Sequence, residues 1–175
     1  MGYSALAGLA LVLAAFGAAA QPSQVIIVRH AERAADPSGD PSLSPDGVAR
    51  AALLAQALGA SNVRTIITTH FKRTQETAAP LAEQQGITPA VIPIRRGELA
   101  AHISEVVQAA RQAAGVVLVV GHSDTVPGIV TGLSTSQPMK LCETSFSNIF
   151  IATPGLAALQ LKYGKPDVAP GAGCQ

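Results

Sequence analysis

Apolar residues along this chain follow two alternating patterns. Short apolar runs stand at Val25–Val28 and Val116–Val120, and strand-like segments with interrupted apolar runs at Val63–Thr68 and Ala90–Ile94. Runs of this length, rich in Val and Ile, predict strands buried on both faces of a sheet. Between them lie longer stretches in which apolar positions recur every three or four residues. Val48, Ala51, Ala52, Leu54, Ala55 and Leu58 form one helical stripe, opened by Ser44-Pro45 and stopped by Gly59. A second helix runs from about Lys72 to Gln85 with Gly86 as its stop, and Pro80 inside it predicts a kink or local break. A third covers about Glu98 to Ala114, with a stripe of Leu99, Ile103, Val106, Val107 and Ala110. A short fourth follows from Val126 to about Leu133.

Val116–Val120 is the most apolar run and is predicted to be central, whereas Pro93 demotes Ala90–Ile94 toward an edge. The ending differs in kind. Phe146–Ile151 and Leu156–Leu161 read as strands joined by Thr153-Pro154-Gly155, a hairpin signal. Strand, loop and helix repeated in this order predict an α/β fold. It is a three-layer α/β/α sandwich with a mostly parallel sheet and a C-terminal antiparallel hairpin.

The first 20 residues are expected to lie outside this domain. Ala5 to Phe16 is an apolar stretch, followed by Gly17-Ala18-Ala19-Ala20, and small residues at Ala18 and Ala20 suit a signal-peptidase site. The usual Lys or Arg ahead of such a stretch is absent. The stretch is short for a membrane span, which needs about 20 apolar residues, so no stable membrane insertion is expected after cleavage. This reading gives a signal peptide over 1–20, one domain over 21–175, and a periplasmic or secreted protein. In that setting Cys142 and Cys174 permit a disulfide tying the Pro- and Gly-rich tail back to the body. The net charge is +1, aromatics make up 3% of the 175 residues and Trp is absent. Neither an electrostatic footprint nor a stacking surface for nucleic acid is present.

Chemistry gathers at the strand ends. The first strand runs into Arg29-His30-Ala31-Glu32-Arg33, and the central one into Gly121-His122. The carboxyl edge of an open α/β sheet is where such folds place their sites. A third cation, Arg73, opens the second helix. Guanidinium forks match phosphate geometry and stay charged at any working pH. An imidazole beside them can attack phosphorus. His70 and His102 match no such position and read as ordinary surface or loop histidines. No metal-ligand spacing links the four histidines, so neither a metal nor another cofactor is expected.

Four segments together resemble the histidine phosphatase superfamily, also called the phosphoglycerate mutase-like fold. They are Arg29-His30-Ala31-Glu32, Leu43-Ser44-Pro45-Asp46-Gly47, the stretch Thr69 to Ala78 around Arg73, and Gly121-His122-Ser123-Asp124-Thr125-Val126-Pro127. They occur in the family's order and span almost all of the chain after residue 20. The resemblance implies that His30 is a nucleophile forming a phosphohistidine. It also implies that Arg29, Arg73 and His122 surround the phosphoryl oxygens.

The proton donor to the leaving group is the open position. Glu98, beyond Ile94-Arg95-Arg96-Gly97, is the positional candidate of the mutase-like branch. In the acid-phosphatase branch an aspartate directly follows the second histidine, but here Ser123 intervenes before Asp124. Arg33 follows Arg29 by four residues, as in that branch, and is a candidate phosphate contact. The expected activity is metal-independent hydrolysis of a small phosphomonoester or phosphoramidate. The alternatives are a phosphohistidine-protein phosphatase and a phosphate-binding protein without turnover. No long insertion forms a lid, so an open, shallow pocket is expected.

Overall fold

A computed structural model describes residues 22–167. The expected signal peptide and Cys174, the expected partner of Cys142, lie outside the described residues. In chain order the elements are β1 (Pro22–Arg29), α1 (Pro45–Leu58), β2 (Val63–Thr68), α2 (Lys72–Gln85) and β3 (Ala90–Val91). They continue as α3 (Leu99–Gln112), β4 (Gly115–Gly121), α4 (Val126–Leu133), β5 (Asn148–Ala152) and β6 (Leu159–Lys162). The six strands form one sheet in the order β3-β2-β4-β1-β5-β6. β3, β2, β4 and β1 run parallel, whereas β5 is antiparallel to β1 and β6 to β5. The fold is therefore the expected α/β sandwich, with β4 between β2 and β1.

Alternation along the strands builds two cores. Val25 and Ile27 of β1 face one side with Val117 and Val119 of β4, under Val106 and Ala110 of α3 and Ile129 and Val130 of α4. Ile26 and Val28 face the other side with Leu118 and Val120, under Leu54 and Leu58 of α1 and Ala78 and Leu81 of α2. Strands that bury both faces need side chains apolar at every position, which is why these runs show no polar alternation.

The helix ends follow local chemistry. Ser44 Oγ accepts from the Gly47 N–H and caps α1, with Pro45 in the first turn. Gly86 closes α2 in the left-handed region at φ 64°.

Four local expectations change. Pro80 does not interrupt α2, which is continuous over Lys72–Gln85. Ala78, Leu81 and Ala82 are buried around Pro80, and their packing holds the turns on either side. β3 is only two residues long, because Pro93 ends the ladder on this edge strand. The hairpin strands shift toward the C-terminus, and Phe146 precedes β5 instead of starting it. His102 is neither a surface nor a loop residue: it is 3% exposed on α3, in line with Val106 and Ala110.

Candidate active site

β1 and β4 are adjacent and parallel, so their ends deliver side chains to one place. Arg29 pairs with Gly121 in register, and the His30 N–H donates to the Gly121 carbonyl at 2.9 Å. The rings of His30 and His122 consequently stand edge to face, 5.2 Å apart. Arg73 arrives from the first turn of α2. Thr77 ties it to β1: its Oγ1 accepts from the Ala31 N–H at 2.9 Å and donates to the Arg73 carbonyl at 2.6 Å.

These residues line a cavity of about 520 Å³. Its wall includes Arg29, His30, Arg33, Arg73, His122 and Asp124, together with Ser123 and Glu143. Glu98 is not among the lining residues. It sits at the start of α3, half exposed, with its carboxylate 3.6 Å from Arg95 of the same surface turn. The short β3 and the turn after it bring Ile94, not Glu98, to the cavity.

His30 is 4% exposed and lies at the buried floor. Its Nδ1 lies 2.7 Å from the Ala31 carbonyl, which can only accept. Nδ1 therefore carries the proton, and Nε2 keeps its lone pair for the cavity. Burial pushes the His30 pKa down to about 4, opposed by the Ala31 carbonyl and aided by Arg29 and Arg73. The ring is thus neutral at neutral pH. His122 is pushed down to about 2, first by burial and then by His30 and Arg73. Its Nε2 lies 3.1 Å from Thr69 Oγ1, a hydroxyl able to serve either tautomer.

Both cavity arginines near the floor lie over aromatic faces. The guanidinium carbon of Arg29 sits 4.2 Å from the Phe146 ring centre, and that of Arg73 sits 4.2 Å from the Phe71 ring centre. Such stacking orients a planar guanidinium without consuming its in-plane donors. Arg29 Nη1 donates to the Cys142 carbonyl and Nη2 to Glu143 Oε2, each at 2.8 Å. Arg29 Nε is buried and has no hydrogen-bond partner among the described residues. Arg73 lies 3.8 Å from Asp40, whose other service is to accept from the Lys72 N–H at the start of α2. Arg33 is exposed at the rim, and no described carboxylate pairs with it.

Phe71, Phe146, Thr69 and Glu143 were not singled out from the sequence. Phe71 and Thr69 lie inside the segment around Arg73, where adjacency to that arginine was an available signal. Glu143 had none, being 114 residues from its partner Arg29.

A model of the histidine phosphatase superfamily (branch 1) matches residues 25–100. That stretch carries Arg29, His30 and Arg73, the residues the geometry brings to the cavity. Over residues 25–100 this chain is similar to the histidine phosphatase superfamily. Three solved structures share its fold. The protein histidine phosphatase SixA, solved with tungstate, aligns at TM-score 0.63 and 20% identity, covering 79% of this chain and 96% of that one. A phosphoserine phosphatase from Entamoeba histolytica, solved with 3-phosphoglyceric acid, aligns at TM-score 0.56 and 14% identity, covering 82% and 97%. A mycobacterial glucosyl-3-phosphoglycerate phosphatase aligns at TM-score 0.55 and 15% identity, covering 74% and 89%. No curated protein matches the sequence. Within the superfamily frame, His122 lies beyond the matched stretch and enters the site through the β1–β4 pairing.

Proposed function

We propose that this protein hydrolyses a small phosphorylated substrate through a phosphohistidine formed on His30 Nε2, without a metal. One observation carries the reading. A buried, neutral imidazole has its Nδ1 proton held by the Ala31 carbonyl and its other nitrogen in a cavity walled by guanidinium groups. The similarity of residues 25–100 to the superfamily supports a phosphatase, and the geometry of the cavity supports these roles.

Arg29 and Arg73 bind the phosphoryl oxygens, where charge spreads in the transition state. His122 stands beside them as a neutral ring. As the Nε2–P bond forms, His30 becomes an imidazolium-like group, and the Ala31 carbonyl stabilises the Nδ1 proton. The incoming phosphoryl group supplies the negative charge that makes this favourable. Arg33 adds a cation at the rim for the rest of the substrate. The pattern of residues 1–20 supports export, so the substrate would be met in the periplasm or outside the cell.

Purified protein is expected to hydrolyse para-nitrophenyl phosphate with EDTA present, and His30→Ala to lose that activity. Release of nitrophenol by His30→Ala at the wild-type rate would remove His30 from the chemistry. Activity abolished by EDTA and restored by a divalent cation would remove the metal-free mechanism.

A further inference from the structure

Three carboxylates stand near the cavity, and only one is built into it. Asp40 is occupied by the first turn of α2 and by Arg73. Asp124 is exposed on the cavity wall and takes part in no hydrogen bond or ion pair among the described residues. Glu143 is held from two sides: Ser123 Oγ donates to Oε1, and Arg29 Nη2 donates to Oε2 at 2.8 Å. Ser123 follows His122, and Arg29 precedes His30. The Glu143 carboxylate is therefore anchored to both strand ends that make the site. Yet its side chain is 81% exposed, whereas that of Arg29 is 4% exposed. It stands where the cavity opens.

In-line attack sets the direction of the reaction. His30 lies at the floor, so the leaving oxygen must point away from it, toward the opening. Arg29 is shared by the phosphoryl group and Glu143, which places the carboxylate beside the departing oxygen. Resting on the phosphatase reading above, we propose that Glu143 is the acid that protonates the leaving group and the base that then activates water.

The steps balance. His30 Nε2 bonds to phosphorus as the P–O bond to the leaving group breaks. The electron pair goes to the leaving oxygen, which takes the Glu143 proton and departs as an alcohol. The Glu143 carboxylate next accepts a proton from water as its oxygen bonds to phosphorus. The Nε2–P bond breaks with its electron pair returning to Nε2, and phosphate leaves.

A bound phosphoryl group changes the surroundings of this carboxylate. Ser123 and then Arg29 hold its pKa below the ordinary carboxylate value, with burial opposing them. Arg73 is the further cation facing it. A bound phosphoryl dianion competes for Arg29 and brings negative charge alongside, which raises the carboxylate's proton affinity.

The test is the dependence of kcat/KM on leaving group in the full chain. That constant reports the step in which the P–O bond breaks. Para-nitrophenyl, phenyl and glycerol phosphates form a series of increasingly poor leaving groups. Wild type is expected to vary little along it. Glu143→Gln is expected to lose on the order of 10²-fold on glycerol phosphate and only a few-fold on para-nitrophenyl phosphate. The amide keeps the size of the side chain and an oxygen that can accept from Arg29, and an unchanged melting temperature checks that the fold is intact. An equal loss on all three substrates overturns the proposal, as does a wild-type dependence as steep as the variant's. A leaving-group-dependent loss in Asp124→Asn instead would move the role to Asp124. Failure of wild type to release nitrophenol, or its release by His30→Ala, is a different result and overturns the phosphatase reading itself.

Discussion

His30 and His122 are bases that the fold keeps uncharged, and this has a cost that can be measured. Both pKa values lie below the ordinary 6.5 of an unfolded histidine, chiefly through burial. Above pH 6.5 neither the folded nor the unfolded chain protonates them, so nothing is lost. Below it the unfolded chain takes up protons that the fold refuses. Stability therefore falls with pH, by on the order of 1 kcal/mol per pH unit for each ring. For His30 the effect ends near its folded value of about 4. Urea midpoints measured between pH 6.5 and pH 4 should fall less steeply in His30→Asn than in wild type, and identical slopes would sink the argument. Arg73 should act on binding. Arg73→Ala is expected to weaken competitive inhibition by inorganic phosphate by at least 10-fold, about 1.4 kcal/mol. An unchanged inhibition constant would remove it from the phosphate pocket.

At the scale of elements, the site depends on how the loop after β1 meets α1. A Cβ at Gly47 would stand 2.1 Å from the Glu32 carbonyl oxygen, a backbone atom two residues beyond His30. The same oxygen accepts the Ser44 N–H at 2.9 Å, so it cannot retreat without opening the start of α1. Gly47→Ala should cost about 1–3 kcal/mol by forcing this contact apart. Because the shift falls beside the nucleophile, phosphate inhibition should weaken as well. Chemical denaturation alongside an inhibition assay checks both, and a variant as stable as wild type would show that the loop yields freely. α2 illustrates the converse. Pro80 breaks a local rule, yet the helix continues because tertiary packing outweighs one missing hydrogen bond.

At the scale of the molecule, the C-terminal segment is sewn to the site from behind. Arg50 of α1 is 3% exposed. It grips the Glu32 carboxylate through Nε and Nη2, and donates to the carbonyls of Tyr163 and Lys165. Asp167 accepts from the N–H groups of Phe146 and Ser147 and from Ser147 Oγ, fixing the ring under Arg29. Glu32 is partly exposed, but removing Arg50 strips it of its cation and leaves the Tyr163 and Lys165 carbonyls without their donor. Arg50→Ala should therefore lower stability by about 2–3 kcal/mol, less than for a fully buried pair. Arg50→Lys should recover little of it, since a single ammonium cannot span the fork and two carbonyls. Thermal melts decide this, and a loss within 0.5 kcal/mol of zero would mark the pair as incidental.

Whatever depended on local pattern was legible in the sequence. The apolar runs of β1, β2 and β4 require two covered faces, so they determined a sandwich. Ser44, Pro45 and Gly86 marked helix ends because capping is chemistry between near neighbours. The two histidines and two arginines were legible because each directly ends a strand or opens a helix. His102 was legible in principle: Val106 and Ala110 lie four and eight residues on, so one helical stripe includes it. Glu98 looked suitable by position along the chain, but the two-residue β3 leaves it on the surface. Only the tertiary structure brought Glu143 to Arg29, Phe146 beneath it, and Asp167 behind Phe146. Those contacts join segments far apart in the chain, through loops whose path no periodicity encodes. Near-neighbour energetics write themselves into the sequence, whereas the meeting of distant loops is set by how the whole sheet and its helices pack.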